Sequence, residues 1–316
     1  MRYDPLDYLY VSARIRAMES RLVGREKLNQ LLTAPTLRDV EKTLEEWGAA
    51  KEQEYGLKSA FAAVSESLPD KALLHFLQYP YDCHNLKTLQ KCRIKGTKPD
   101  ALLIDLGSVS TESLLTVQEK ELFSLLPTHM AKGVEEARDA FLKTGDPKEI
   151  DFVLDRATYT DMAQAAAPYP FAAELVRVQA DLLNLLMCLR LLRMQNGELG
   201  RSVLIRAALP VGSFDVSFLL SCYDGGEEEL YKQALHTPYA GVFEKEQALA
   251  DTEKRMDDHL MGIIRRARYV TFGAEVPIAY LLAAQQQSKN LRILIAGKEA
   301  DLDAQTIQTR MRESYV

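Results

Sequence analysis

The residues whose types could support chemistry are few, and their spacing excludes most of it. Gly297-Lys298 in "LIAGKEA" looks like the end of a phosphate-binding loop, but such a loop needs Gly five positions before that glycine and Ser or Thr after the lysine. Those positions hold Arg292 and Glu299, so no nucleotide cradle is expected. The five histidines (His75, His84, His129, His236, His259) are scattered. Cys83 and His84 are adjacent, and neighbouring helical residues point in different directions, which rules against a thiol–imidazole pair. The four cysteines (Cys83, Cys92, Cys188, Cys222) lack zinc-site spacing and sit in or beside apolar runs, as buried free thiols in a reducing compartment do. Asp151 and Asp155 lie one turn apart beside Arg156, where capping and local salt bridging are the expected roles. The acidic runs "DGGEEEL" (224–230) and "KRMDDHL" (254–260) read as solvated faces or first helical turns. The sequence therefore predicts no catalytic residue, no cofactor and no metal site.

Basic residues are more suggestive. Arg14, Arg21 and Arg25 fall together near the N-terminus, Arg190 and Arg193 lie one turn apart, and "GIIRRARYVTFGAE" (262–275) carries Arg265, Arg266 and Arg268. In a chain of net charge −6 such concentrations could form local positive surfaces that steer an acidic or phospholipid-proximal partner. The plainer alternative is arginines snorkelling along helix faces.

The elements that position these groups read as helices. Asp4-Pro5 supplies an N-cap and a first-turn proline for a helix running toward Gly24. Thr36 can cap "LRDVEKTLEEW", with Leu37, Val40 and Leu44 on one face and Gly48 as the stop. Asp146-Pro147 opens another helix, with Glu149 placed close to a capping box and Ile150, Val153, Leu154 and Ala157 forming an apolar stripe. Alternating β-branched patterns are nearly absent, so the expected fold class is all-α.

A polar asparagine recurs inside apolar helical runs: "CHNLKTLQKCRIKG" (83–96), "DLLNLLMCLRLLR" (181–193) and "KNLRILIAGK" (289–298). Aligning Asn85 with Asn184 also superposes Asp82 on Asp181, Leu86 on Leu185 and Lys91 on Arg190. "ELFSLLPTHMAKGV" (121–134) matches "ELYKQALHTPYAGV" (229–242), and "DLGSVSTESLL" (105–115) matches "ALPVGSFDVSFLL" (208–220) as Gly-Ser loops leading into helices. Three segments repeated in order predict three related helical units at 27–133, 134–241 and 242–316. The third lacks the tail segment of the others, and an N-terminal helix within 1–26 is expected to complete it through contacts between 5–24 and 270–298. Because a buried amide needs partners, each asparagine reads as a polar pin between a helix and a loop or second unit.

A chain of 316 residues with 47% hydrophobic and 27% charged residues has ordinary globular composition. Its negative charge speaks against a nucleic-acid partner, which requires a concentrated positive face. "MRYDPLDYLY" lacks a signal-peptide core, and no window reaches the ~18–20 uncharged apolar residues of a membrane span. A cytoplasmic location is expected, with any membrane association made through partners.

Taken in order, "YLYVSARIRAMESRLVGREKLNQLL" (8–32), "YDCHNLKTL" (81–89), "EIDFVLDRATYTDM" (149–162), "DLLNLLMCLRLLR" (181–193) and "FGAEVPIAYLLAAQQQSKNLRILIAGK" (272–298) resemble the C-type subunit of V/A-type rotary ATPases, whose counterpart in the vacuolar ATPase is the d-type subunit. The resemblance spans essentially the whole chain. It implies an all-helical funnel of three similar units around a pseudo-threefold axis, acting as a non-catalytic adaptor. Its partners would be the shaft subunits D and F and the membrane rotor ring, with torque passing through it. Arg190, Arg193 and Arg292 are the candidates for a shaft-facing or ring-facing surface. A free cytosolic helical scaffold is the competing reading, although solenoid repeats usually run about 34–47 residues.

Overall fold

The structure is a computed structural model that describes residues 4–48, 56–195, 197–245 and 247–316. Among these the regular elements are helices, with no strand, and the fold is all-α. No described helix is long and apolar enough to cross a membrane. The chain packs as two compact units, Met1–Lys71 with Gly241–Val316, and Ala72–Ala240. The first holds α1 (Leu9–Glu19), α2 (Arg25–Thr33), α3 (Leu37–Glu46) and α4 (Leu57–Ser67). The second holds α5 (His75–Lys95), α6 (Thr111–Lys120), α7 (Thr128–Thr144), α8 (Lys148–Ala166), α9 (Pro170–Arg193), α10 (Gly197–Ala207), α11 (Val216–Asp224) and α12 (Gly226–Leu235). The chain then returns to the first with α13 (Leu249–Ile264), α14 (Glu275–Glu299) and α15 (Ala304–Arg310).

Local signals set the helix ends. Thr36 and Asp39 form a reciprocal capping box at the start of α3, and Gly48 takes a φ of 71° just past its end. Ser110, Asp215 and Asp303 cap α6, α11 and α15 by accepting a first-turn N–H. Two expectations need correction. Asp4-Pro5 opens a short 3-10 turn with its own capping box, and α1 then ends at Glu19; Gly24 is the N-cap of α2 and not the end of one long helix. Segments 121–134 and 229–242 also differ in conformation. The first contains the left-handed cap Glu121, a 3-10 turn and the start of α7, whereas the second continues α12 before turning. Three glutamates in the first turn of α12 favour helix there, whereas Pro127 stands just before α7 begins.

In the second unit, Cys83, Leu86 and Leu89 of α5 pack with Leu114 and Val117 of α6, Met130 and Val134 of α7, and Ile150 and Leu154 of α8. A Cβ added at Gly133 would lie 2.9 Å from that of Ala157, so this glycine sets how closely α7 approaches α8. Helix α9 touches α8, α10, α11 and α12. Its apolar residues accordingly continue round most of its circumference, with Leu182, Leu185 and Cys188 fully buried.

In the first unit, α2 and α3 share an apolar cluster with Leu291 and Leu294 of α14 and with Ile307 and Met311. The contacts expected between 5–24 and 270–298 are present. The Val23 N–H donates to Gln287 Oε1 (2.7 Å), and the Gly273 N–H to Ser12 Oγ (3.4 Å). Arg16 binds the Ala267 and Val270 carbonyls at 2.7 and 2.6 Å while its other nitrogen holds Glu19 at 2.7 Å. Lys298, the lysine of the failed phosphate-loop motif, caps the C-terminal end of α2 through the Leu32 and Ala34 carbonyls (2.9 and 2.8 Å). Its neighbour Gly297 makes room for Ile307, whose Cγ1 would stand 2.6 Å from an added Cβ.

Replacing Arg16 by Met is expected to lower stability by about 2 kcal/mol in denaturant melts, because charge-assisted bonds to two carbonyls are lost together. An unchanged midpoint would show that the Arg16 bonds do not hold α1 in place.

Candidate functional site

Asn85, Asn184 and Asn290 lie on the three longest helices, of 21, 24 and 25 residues, and all three are buried. Each amide pairs with both backbone groups of one residue on the returning chain. Asn85 Nδ2 donates to the Ile104 carbonyl and its Oδ1 accepts the Ile104 N–H, both at 2.8 Å. Asn184 does the same with Leu209, at 3.0 and 2.8 Å. Asn290 does so with Arg312, at 3.0 and 2.9 Å. Asparagine is the side chain that fits, because its short amide offers a donor and an acceptor side by side, whereas aspartate lacks the donor. The reading of these residues as helix-to-loop pins is what the geometry shows.

One turn earlier on the same helix faces, a second polar residue secures the following segment. The Asp82 carboxylate accepts the Ser108 N–H (2.9 Å), the Ser108 hydroxyl (2.6 Å) and the Val109 N–H (3.2 Å). Burial raises its pKa above the usual carboxylate value, while the bonds from Ser108 and Val109 pull it back. Asp181 accepts the N–H groups of Ser213 and Phe214 at 2.5 and 3.3 Å and the Tyr239 hydroxyl at 2.8 Å. These carboxylates explain the Gly-Ser loops. A Cβ on Gly107 would fall 2.0 Å from Asp82 Oδ1, and one on Gly212 would fall 2.4 Å from Asp181 Oδ1. At the third junction Gln287 takes this place, and its group to bind is the Val23 N–H of the N-terminal segment.

The segment after Arg312 is tied down almost residue by residue. The Glu313 N–H donates to Asp258 Oδ1 (2.6 Å), Arg265 Nε reaches the Ser314 carbonyl (3.1 Å), Arg268 reaches that of Tyr315 (3.4 Å), and the Arg25 N–H donates to Val316 O (3.2 Å). That last bond brings residue 316 to the first turn of α2. Near the Asn290 junction, Leu291 and Leu294 of α14 belong to one apolar cluster with Leu28, Leu31 and Leu32 of α2, while in the second unit Leu86 and Leu89 cluster with Leu114 and Val117.

The residues screened for chemistry go elsewhere. Asp155 binds Lys87 (2.6 Å) and Asp151 binds Lys91 (2.6 Å), joining α8 to α5. Cys83 Sγ lies 3.7 Å from Asp155 while His84 Nε2 meets the Leu102 carbonyl at 3.0 Å, so the adjacent pair diverges. Burial pushes the Cys83 thiol up to about 12 and also raises Cys188. His129 pairs with Asp161, which receives the His129 and Met130 N–H groups at the first turn of α7. No group of three or more potential metal-binding side chains occurs among the described residues.

Of the three candidate partner-binding arginines, Arg190 and Arg193 are half-buried in the last turns of α9, and Arg292 is exposed on α14. They belong to different compact units. Arg193 already holds Glu227 (3.4 Å) and the Tyr231 hydroxyl (3.0 Å).

Comparison with known proteins matches residues 11–310 to the ATP synthase (C/AC39) subunit family. The chain belongs to that family. Among its relatives, the C-type subunit of the V-type sodium ATPase of Enterococcus hirae is 25% identical over 329 aligned positions, covering 98% of this chain and 99% of the relative. The C-type subunit of the A-type ATP synthase of Thermococcus gammatolerans is 22% identical, covering 93% and 86% respectively. That of Methanocaldococcus jannaschii is 24% identical, covering 98% and 87%. The chain is thus a rotary-ATPase component of the C/AC39 type.

Replacing Asn184 by Leu is expected to cost about 3 kcal/mol, because it orphans the N–H and C=O of buried Leu209 at once. The same change at Asn85 or Asn290, whose loop partners are only half-buried, is expected to cost about 2 kcal/mol in denaturant melts; losses under about 0.5 kcal/mol would contradict the pin. In alkylation at about pH 8, Cys83 and Cys188 are expected to stay unmodified in the native chain and to react fully in denaturant, read by mass spectrometry. Native labelling at free-thiol rates would refute their burial.

Proposed function

We propose that this chain is the non-catalytic adaptor on the rotation axis of a V/A-type ATPase. It joins the central shaft, subunits D and F, to the membrane rotor ring and passes torque for ATP-coupled proton or sodium transport. The observation that carries this reading is the family match running through residues 11–310. The three amide junctions supply the physics. A part that transmits torque must not yield at its loops, and each junction locks a loop to a long helix with two hydrogen bonds from a buried amide.

The three-unit organisation belongs to the same proposal: units at 27–133, 134–241 and 242–316, the third completed by the N-terminal segment, arranged as a funnel about a pseudo-threefold axis. Its supports are the three junctions and the apolar cluster that α2 shares with α14. In this reading the adaptor lies on the cytoplasmic side, held to the membrane only through the ring. Arg190, Arg193 and Arg292 face the shaft or ring, and Arg292, being exposed, is the cleanest to test.

Exchanging Arg292 for Glu is expected to weaken retention of co-expressed D and F or of the detergent-solubilised ring about tenfold, with the circular dichroism spectrum unchanged. Adding Arg190→Glu and Arg193→Glu deepens the loss. Full retention by the triple variant would reject the arginine assignment, and failure of the wild-type chain to bind either partner would reject the adaptor role.

A further inference from the structure

The basic residues of the N-terminal segment and of 262–275 have no part in the amide junctions, yet some of them meet. Within the first unit a cavity of about 550 Å³ lies among α2, α13, the turn after α13 and the segment 308–316. Arg25, Lys254, Arg265, Arg268 and Arg312 line it. The carboxylates in its wall are Asp258 and Glu313. Arg265 is neutralised by Glu313, and Arg312 Nε lies 3.0 Å from Asp257. The other three cations have no carboxylate bond. Lys254 donates to the Thr309 carbonyl (2.9 Å) and Arg268 to that of Tyr315 (3.4 Å). The Arg25 side chain has no bonded partner among the described residues. One further negative charge at Val316 would still leave the lining positive.

Cations from four separate stretches of chain meet in this concavity in excess of its carboxylates, which leaves a local positive potential. The start of α2 is itself closed by the chain, since the Arg25 N–H donates to the Val316 carbonyl (3.2 Å), so the positive potential here comes from the side chains. The volume is that of a small-molecule site, and the forked guanidinium groups of Arg25 and Arg268 suit a compact oxyanion with several oxygens. We propose that this cavity binds a phosphate-class anion, carried either by a free phosphate or pyrophosphate or by the headgroup of an acidic phospholipid. The site is separate from the arginines proposed to meet shaft or ring, and its test uses the isolated full chain, so either proposal can fail alone.

The experiment is calorimetric titration with inorganic pyrophosphate at constant ionic strength, paired with flotation on phosphatidylglycerol and phosphatidylcholine vesicles. Saturable one-to-one binding with a Kd below about 1 mM is expected in the first arm if the ligand is free. Flotation on phosphatidylglycerol alone is expected in the second if it is a headgroup. In whichever arm responds, Arg25→Gln should weaken binding at least tenfold without altering the melting temperature, since its side chain supports no internal contact. Arg268→Gln should act in the same direction, and Arg93→Gln, an equal charge change at an exposed position in the last turn of α5, should have no effect. Absence of binding in both arms, or equal binding by the Arg25→Gln and wild-type chains, would overturn the site.

Discussion

A side-chain amide facing one backbone peptide is the constraint on which this structure depends. Asparagine inside a helix is costly, because its side chain competes with helical backbone bonding and because a buried amide without partners loses its hydration. At Asn85, Asn184 and Asn290 both costs are offset by one residue of the returning chain, which supplies an acceptor and a donor at 2.8–3.0 Å. A loop leaving a long helix would otherwise be free to slide along it. Two parallel hydrogen bonds fix its register at one position, and the Asp or Gln one turn away fixes the segment that follows. Packing then has a defined frame: α6 against α5, α11 against α9, and α2 in one apolar cluster with α14.

The third junction differs from the others in how it is closed. After Asn85 and Asn184 the chain continues into the next helix, which a Ser or Asp caps. At the Asn290 junction the Val316 carbonyl accepts the Arg25 N–H, and the helix that shares the apolar cluster there, α2, lies far earlier in the sequence. Covalent continuity is replaced by many small contacts: Gln287 to Val23, Arg16 to Ala267 and Val270, and Lys298 to Leu32 and Ala34. The change from Asp to Gln fits this. A neutral amide oxygen accepts one N–H from the N-terminal segment, whereas a carboxylate there would lack the several donors that Asp82 and Asp181 receive. The proposed role as a torque-bearing adaptor asks for this kind of closure, since one loose seam would make the body compliant.

Sequence reasoning reached some of this and missed the rest for identifiable reasons. The all-α class, the Thr36 helix start and the buried thiols follow from local signals, and the structure contains them; Asp146 does accept the Lys148 N–H, but Glu149 closes no capping box and binds Arg206 instead. The asparagines stood out because a polar residue in an apolar helical run is locally anomalous. Their partners were not legible. Ile104, Leu209 and Arg312 lie 19, 25 and 22 residues downstream, at no constant spacing and with no shared residue type, because the bonds use backbone groups that every residue carries. Gln287 gave still less signal, as its partner is 264 residues away. The match of 121–134 to 229–242 failed for the opposite reason: similar letters were placed in different helical contexts, and Pro127 and the glutamates of α12 decided the conformation. The clustering of Arg25, Lys254, Arg265 and Arg268 about one cavity required α2 to fold back onto α13, which no window of sequence records.

Amide hydrogen exchange at the Ile104, Leu209 and Arg312 N–H groups tests the central claim most directly. These groups sit in irregular segments, where exchange is ordinarily fast. The account predicts that all three exchange as slowly as the cores of α5, α9 and α14, opening only when those helices do. Exchange at the rate of neighbouring loop amides, with the helices still protected, would contradict it.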